Sequence, residues 1–98
     1  MKHSIQHQLD HQHAKSVLDR AMDTYRQHYA EYNVETCWLD EHTAEIGFEL
    51  TGQKVGGKIE VGVDRYDIHL ELPWMLRFFE RRIVDSFDQE FQRWLDRA

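Results

Sequence analysis

Three consecutive segments in the middle of the chain alternate apolar and polar residues, and this alternation constrains the fold more than any other feature. They cover residues 44–50, 57–63 and 66–72. Successive side chains of a β-strand point to opposite faces, so a period of two predicts strands with one dry and one hydrated face in an antiparallel sheet. The apolar members are Ala44, Ile46, Phe48, Leu50, Gly57, Ile59, Val61, Val63, Tyr66, Ile68, Leu70 and Leu72.

Turn-forming residues separate these segments. A polar turn is expected at 40–43, a glycine-bearing turn at 51–54 and a tight turn at Asp64-Arg65. The glycines at 56 and 57 are interpreted as part of a turn or a bulge. A less regular strand is expected over residues 34–39. Pro73 ends the last strand, because it cannot donate to the ladder, and it can open a helix.

The residues before this sheet predict a short strand and a long helix. Ile5, His7 and Leu9 alternate with polar residues, and Asp10 can cap a helix that starts near Ala14. Asn33 is a suitable stop because it tolerates the left-handed conformation. The helix carries one apolar stripe at 3.6-residue spacing, which consists of Ala14, Val17, Leu18, Ala21, Met22, Tyr25, His28, Tyr29 and Tyr32.

A second amphipathic helix is predicted from about Trp74 to the C-terminus. Its stripe consists of Leu76, Phe79, Ile83, Val84, Phe87, Phe91, Trp94 and Leu95. Two such helices and one half-dry sheet pack best as two layers. We therefore predict a single α+β domain over residues 1–98. It is a two-layer sandwich with an antiparallel sheet of four to five strands and two helices on one face, in the order β-α-β-β-β-β-α.

Composition narrows the class of function. The formal net charge of −6 argues against a sequence-independent grip on nucleic acid, which needs clustered Lys and Arg. The N-terminus is polar and rich in histidine, so no signal peptide is expected, and no apolar run approaches the roughly 20 residues of a transmembrane helix. Cys37 is the one cysteine, which fits a reducing compartment and a cytoplasmic location.

Catalytic chemistry is not legible in the sequence. Cys37 has no spaced His and Asn partners, and the 56–58 glycines precede a strand instead of a helix. The acidic residues of the strands are expected on the hydrated face, where nothing would separate their pKa values into an acid and a base. These are Glu45, Glu49, Glu60, Asp67 and Glu71. We assign no catalytic residue and no cofactor, and a non-catalytic role is favoured.

Two groups of residues remain as candidate binding sites. Trp74, Met75 and Phe78 fall outside the stripe of the last helix and are bordered by Arg81 and Arg82. Four contacts are considered for them: the end of their own sheet or the rim of the first helix, a second copy of the chain as a homodimer, another protein, or a lipid or polymer surface. The second group could line a ligand cavity between helices and sheet, and consists of Tyr25, His28, Tyr29 and Trp38.

Histidines crowd the N-terminus without a metal-site pattern. Zinc needs three or four converging ligands, and the spacing of His3, His7, His11 and His13 matches no zinc motif. We assign no metal ligands. His7, on the first strand, is expected to be packed and hydrogen-bonded.

The order and spacing of several motifs resemble a known family over nearly the whole chain. The chain is similar to the polyhydroxyalkanoic acid system proteins, also described as granule-region proteins of bacteria. The matching features are His7-x-Leu9 followed after four residues by Ala14, the long first helix, Trp38, Phe48, Gly52, Gly57, Ile59-x-Val61, Leu70-x-Leu72 and Ile83. The histidine-rich start and the apolar bulk from Trp74 to Phe79 depart from the family pattern.

The resemblance implies a bacterial cytosolic protein connected with polyester storage granules, and it implies no catalytic residues. A granule surface or a granule protein would then be the partner of Trp74, Met75 and Phe78. The alternative is a carrier of a small acyl-type ligand, held in a cavity between the helices and the sheet.

Overall fold

A computed structural model describes residues 1–98 and contains five strands and two α-helices. All strand pairs are antiparallel, and their order across the sheet is β1-β5-β4-β3-β2. The elements are β1 (Lys2–Gln6), α1 (His11–His28), β2 (Glu35–Trp38), β3 (Thr43–Leu50), β4 (Gln53–Val61), β5 (Arg65–Glu71) and α2 (Glu80–Arg97). Two 3-10 segments, Ala30–Tyr32 and Trp74–Phe79, follow α1 and precede α2. The predicted α+β class and element order are confirmed.

One hydrophobic core lies between the sheet and the two helices. The alternating apolar residues of the strands point into it, together with one stripe of each helix. The Tyr66 hydroxyl, fully buried, donates to the backbone oxygen of Ala14 at 2.7 Å and ties β5 to the start of α1. The core consists of Ile5, Ala14, Val17, Leu18, Ala21, Met22, Tyr25, Ala44, Ile46, Val55, Ile59, Val61, Tyr66, Ile68, Leu70, Leu76, Phe87 and Phe91.

Local sequence signals fix the ends of the first helix. The side chain of Asp10 accepts a hydrogen bond from the backbone N–H of His13, so the predicted N-cap is confirmed. The helix ends at His28, a 3-10 turn follows, and Asn33 adopts the left-handed conformation with φ of 51°. His28 is exposed, so its predicted place on the buried stripe is wrong. It stands at the last helical position, where the chain leaves the sheet.

The β3–β4 hairpin is tighter than predicted. Thr51 and Gly52 both have positive φ, and Leu50 pairs directly with Gln53, as in a two-residue type I′ turn. Pairing therefore begins at Gln53, and Gly56 and Gly57 lie inside β4 in regular register with Glu71 and Leu70. The predicted turn or bulge at these glycines is wrong.

The end of β4 also differs from the prediction. The strand stops at Val61, and Val63 lies in the turn before β5 with 94% of its surface exposed. Gly62 donates its N–H to the backbone oxygen of Arg65 at 2.8 Å, which closes this turn around Val63. An isolated exposed valine is ordinary on a protein surface.

Candidate functional site

The chain between β5 and α2 begins with a 3-10 segment instead of the predicted α-helix. Pro73 ends the sheet pairing, and its backbone oxygen accepts a hydrogen bond from the N–H of Leu76 at 2.8 Å. A 3-10 helix has three residues per turn, so residues three apart share a face. Leu76 is 1% exposed and Phe79 packs against the core, and these two residues form the inward face.

The other two faces of the segment carry the apolar side chains that the sequence leaves without a partner. Trp74 is 76% exposed, Met75 is 52% exposed and Phe78 is 90% exposed. Met75 and Phe78 share one face, since they are three residues apart. We call these three residues the apolar cluster. Trp74 and Phe78 leave most of their surface exposed instead of covering the end of the sheet, whereas the sulfur of Met75 accepts from Nε2 of Gln53, at the start of β4, at 3.5 Å.

Arginines surround the apolar cluster. Arg77 lies within the 3-10 segment, and Arg81 and Arg82 follow in the first turn of α2; all three are exposed. None of them takes part in the ion pairs of the protein. Glu80 is the one acidic residue in this stretch. The end of the molecule therefore combines exposed aromatic rings with guanidinium groups that are free to bind.

A cavity of about 400 Å³ lies between the end of α1, the end of β3 and the start of α2. Phe79, on the inward face of the 3-10 segment, forms part of its wall. Ten of its 13 lining residues are hydrophobic, which is typical of small-molecule sites. The lining consists of Tyr25, Tyr29, Tyr32, Val34, Ile46, Phe48, Leu50, Thr51, Phe79, Arg82, Ile83, Ser86 and Phe87.

The polar side chains of the lining are one arginine, Arg82, and five that carry hydroxyls, namely Tyr25, Tyr29, Tyr32, Thr51 and Ser86. The Tyr25 hydroxyl donates to the backbone oxygen of Ser86 at 2.8 Å, and burial raises the pKa of Tyr25 far above its usual range, so the group stays neutral. Thr51 and Arg82, both exposed, stand at the opening. Arg82 is the one charged residue of the lining.

The predicted ligand-lining residues are only partly brought together. Tyr25 and Tyr29 line the cavity, with ring centroids 5.5 Å apart. His28 and Trp38 lie outside it. The Trp38 indole donates to Asp19 at 3.1 Å and carries the ammonium of Lys15 4.8 Å above its ring, toward the other end of α1. β2 runs from the cavity toward that end, so Trp38 is carried away from the site.

Sequence reasoning did not assign the rest of the cavity wall. Phe48 and Leu50 were placed on the dry face of β3, and Phe79 and Ile83 on the stripe of the last helix. Arg82 was predicted as a neighbour of the apolar cluster, and the structure places it at the cavity opening as well. The sequence pattern does not reveal that Trp74–Phe79 is a 3-10 segment. This geometry sets the orientation of the apolar cluster relative to the cavity wall.

The N-terminal histidines are engaged in separate local contacts. Nδ1 of His7 accepts from the N–H of Leu9 at 3.1 Å and its Nε2 donates to the oxygen of Gly62 at 3.0 Å, which confirms that this histidine is packed and hydrogen-bonded. Its predicted place on the first strand is wrong, because β1 ends at Gln6. His3 contacts Asp88 and His13 contacts Asp10, each at 2.7 Å, and the His11 ring stacks on His42. No group of three or more His, Cys, Asp or Glu residues could hold a metal ion.

The outer face of the sheet forms a broad polar trough of about 950 Å³. Gly47 pairs with Gly56 at its floor, and Glu35 and Glu71 pair with these glycines on either side. Acidic and basic side chains alternate around it, including Glu45 opposite Lys58. The trough is larger than the cavity, but only six of its 20 lining residues are hydrophobic and charged side chains surround it, so it suits an apolar ligand less well.

No helix of the structure combines the length and the apolar character needed to cross a membrane.

The fold and the site define a small α+β protein with an exposed apolar cluster, a half-open apolar cavity and no constellation of catalytic groups among the residues just described. A comparison with family models matches residues 2–95 to the family described as "Putative polyhydroxyalkanoic acid system protein". The chain belongs to this family, as the resemblance in the sequence implied. No curated protein and no solved structure matches the chain.

Proposed function

We propose that this protein is a non-catalytic component of polyester storage, and that it binds the granule surface through the apolar cluster. The observation that carries the proposal is the exposure of Trp74, Met75 and Phe78 on one short segment. Large exposed apolar groups that lie together on a soluble-type fold are typical of binding surfaces. Membership of the polyhydroxyalkanoic acid system family supports a polyester as the partner.

The segment is well anchored for this role. Leu76 and Phe79 fix its inward face in the core, and the preceding Pro73 restricts the backbone at its start. The cluster is therefore presented without a large loss of conformational freedom on binding. Burial of each large apolar side chain contributes roughly 1.5–3 kcal/mol before the cost of association is subtracted.

The arginines around the cluster suit a polyester as well. Arg77, Arg81 and Arg82 carry N–H donors on long side chains, and the ester carbonyls of a polymer surface are acceptors. A positive border also keeps this end of the molecule distinct from the acidic remainder of a chain with net charge −6. The rings would enter the surface while the guanidinium groups stay at its boundary.

Partition onto a hydrophobic polyester film tests this function. We expect the double variant Trp74→Ser, Phe78→Ser to lose binding about 10-fold or more, because two aromatic side chains leave the contact. Val63→Ser is the matched control, since it removes another apolar side chain that is 94% exposed, on a turn away from the cluster. Equal partition of the wild type and the double variant would rule the cluster out as the docking surface.

A second function, carriage of a small acyl-type ligand, is favoured by the cavity. Its volume of about 400 Å³ lies within the range of small-molecule sites, and its lining is mostly apolar. Uptake of an apolar probe, lost when the cavity is filled by Leu50→Trp, is the result expected for a carrier. Unchanged uptake in that variant would exclude the cavity as the carrier site.

A further inference from the structure

We infer that the cavity binds a single aliphatic chain that ends in a carboxylate, and that Arg82 pairs with the carboxylate. The assignment rests on the carrier function above and adds to it the class of ligand and the residue that recognises it. Nothing in it depends on the apolar cluster binding a granule.

The dimensions of the cavity select a chain of moderate length. If a methylene group takes about as much space as a water molecule, roughly 30 Å³, the volume of about 400 Å³ accommodates on the order of ten carbon atoms with some loss to imperfect packing. The volume is therefore matched to one such chain, and a single-chain ligand is the class that fits it best.

The lining of the cavity selects an aliphatic body. Phe48, Leu50, Ile83 and Phe87 give it walls without hydrogen-bonding side chains. Of the hydroxyls in the lining, that of Tyr25 donates to the backbone oxygen of Ser86 and that of Thr51 to the backbone oxygen of Leu50, so neither needs a partner in the ligand. A polar group on the part of the chain beside these four apolar side chains would lose its hydration without a partner, which costs free energy.

The charge at the opening selects an anionic head group. Arg82 is exposed, lines the cavity and forms no ion pair within the protein. No aspartate, glutamate, lysine or histidine belongs to the lining, so Arg82 is its one charged group. The planar guanidinium can hold a carboxylate through two parallel hydrogen bonds, which makes it the natural partner for an acid at the end of an apolar chain.

Calorimetric titration with decanoate, below its micellar concentration, tests the assignment. The wild type should bind decanoate about 10-fold more tightly than decanol, which has the same chain without the charge. Arg82→Gln should weaken decanoate about 10-fold and leave decanol unchanged. Arg81→Gln is the matched control, because Arg81 is an exposed arginine of the same helical turn that does not line the cavity.

Filling the cavity locates the chain. Leu50→Trp should abolish binding of both probes, and Ser86→Leu gives a second filling variant in which the backbone oxygen that Tyr25 uses is retained. Circular dichroism confirms that each variant is folded. If the affinity of either probe is unchanged in both filling variants, the cavity is not the binding site, and the carrier function is overturned with it. Probes that bind in the cavity with equal affinity, or an Arg82→Gln variant that binds decanoate like the wild type, overturn the head-group assignment alone.

A lipid bilayer also presents aliphatic chains that end at anionic groups. A last part of the experiment separates a membrane lipid from a free acid as the source of the ligand. Vesicles of phosphatidylglycerol are added to the Trp74→Ser, Phe78→Ser variant, in which the apolar cluster has been removed. No binding, together with retained binding of decanoate, is the result expected for a free acid. Vesicle binding that is lost on further substitution of Arg82 would assign the cavity to membrane lipid and contradict the free-acid assignment.

Discussion

Gly57 lies on β4, the central strand of the sheet, and pairs with Leu70 of β5. A methyl group at this position would overlap the backbone oxygen of His69 and lie 2.9 Å from the Cα atom of Leu70. Both neighbours belong to a paired central strand and cannot move without disturbing the ladder. The glycine is therefore required for space, at a position where the sequence predicts a turn or a bulge.

We predict that Gly57→Ala lowers the free energy of unfolding by about 1–3 kcal/mol or more, the range for overpacking a rigid site. Gly56→Ala is the control. Its added methyl meets nothing within 4 Å, so the loss of freedom in the unfolded chain should leave stability equal or slightly higher. Urea unfolding measures both. Equal destabilisation by the two variants would mean that β-propensity, and not the close approach, decides the effect.

Asp10 stabilises the start of α1 only while it is ionised. The backbone N–H of His13 donates to its carboxylate at 2.9 Å, and the His13 ring contacts the same oxygen; these hydrogen bonds lower the pKa of Asp10 below its ordinary value of about 3.9. A lowered pKa in the folded state means stability that is present above the ordinary value and is lost as the pH falls through the folded value.

We predict that Asp10→Ala lowers Tm at pH 7, because it leaves a helix N–H without its acceptor. The difference from the wild type should shrink as the pH falls below about 4, because the carboxylate of the unfolded chain is protonated there and that of the folded chain only at a lower pH. Asp10→Asn keeps an acceptor oxygen and should retain most of the stability at pH 7. Thermal unfolding between pH 7 and pH 2 follows both variants. A constant difference for Asp10→Ala over this range would contradict an ionised cap.

At the scale of elements, the decisive feature is the change from 3-10 to α geometry at Glu80. A helix of 100° per residue predicts that Leu76 and Phe79 share the stripe of α2. The 3-10 segment advances about 120° per residue, so Leu76 and Phe79 also align with each other while Met75 and Phe78 align outward. Leu76 and Phe79 fit both the α-helical and the 3-10 period. The sequence pattern therefore predicts their burial correctly but predicts the wrong type of helix.

The burial of this segment gives a prediction for its two faces. Leu76→Ala should cost about 2–4 kcal/mol, since a leucine that is 1% exposed leaves a space in the core. Met75→Ala, one position earlier and 52% exposed, should change stability by less than about 0.5 kcal/mol. Chemical denaturation of both variants gives the comparison. A cost at Met75 as large as at Leu76 would show that the cluster packs against the protein in solution.

At the scale of the whole molecule, the sequence predicts those features that depend on periodicity. The period of two placed Ala44, Ile46, Ile59 and Ile68 on the buried face, and the excess of apolar residues over one helical stripe isolated the apolar cluster. Both signals are local in the chain. They are sufficient for the layers of the fold and for the residues that the layers leave exposed.

The cavity depends on how separate elements meet, and local patterns do not contain this information. Tyr25 and Tyr29 were found because they lie near the end of the α1 stripe. Trp38 was misplaced because the direction of β2 relative to α1 decides which end of the helix it reaches. Arg82 borders the cluster in sequence, but only the turn from the 3-10 segment into α2 brings it to the cavity opening.

The size of the apolar cluster leads to a prediction about the assembly of the molecule. A stable interface buries about 800 Å² on each partner, whereas aromatic side chains bury roughly 150–250 Å² each. The two aromatic side chains thus supply roughly 300–500 Å², and Met75 is already about half-buried. The arginines around them would also repel the same arginines of a second copy. We therefore predict a monomer at micromolar concentration, by light scattering, for the wild type and for Trp74→Ser, Phe78→Ser alike.

A wild-type dimer that dissociates in the double variant would assign the cluster to self-association and remove it from the granule surface. A dimer that persists in the variant would place the contact elsewhere, most simply on the free edges of β1 and β2, and would leave the cluster free to bind a granule.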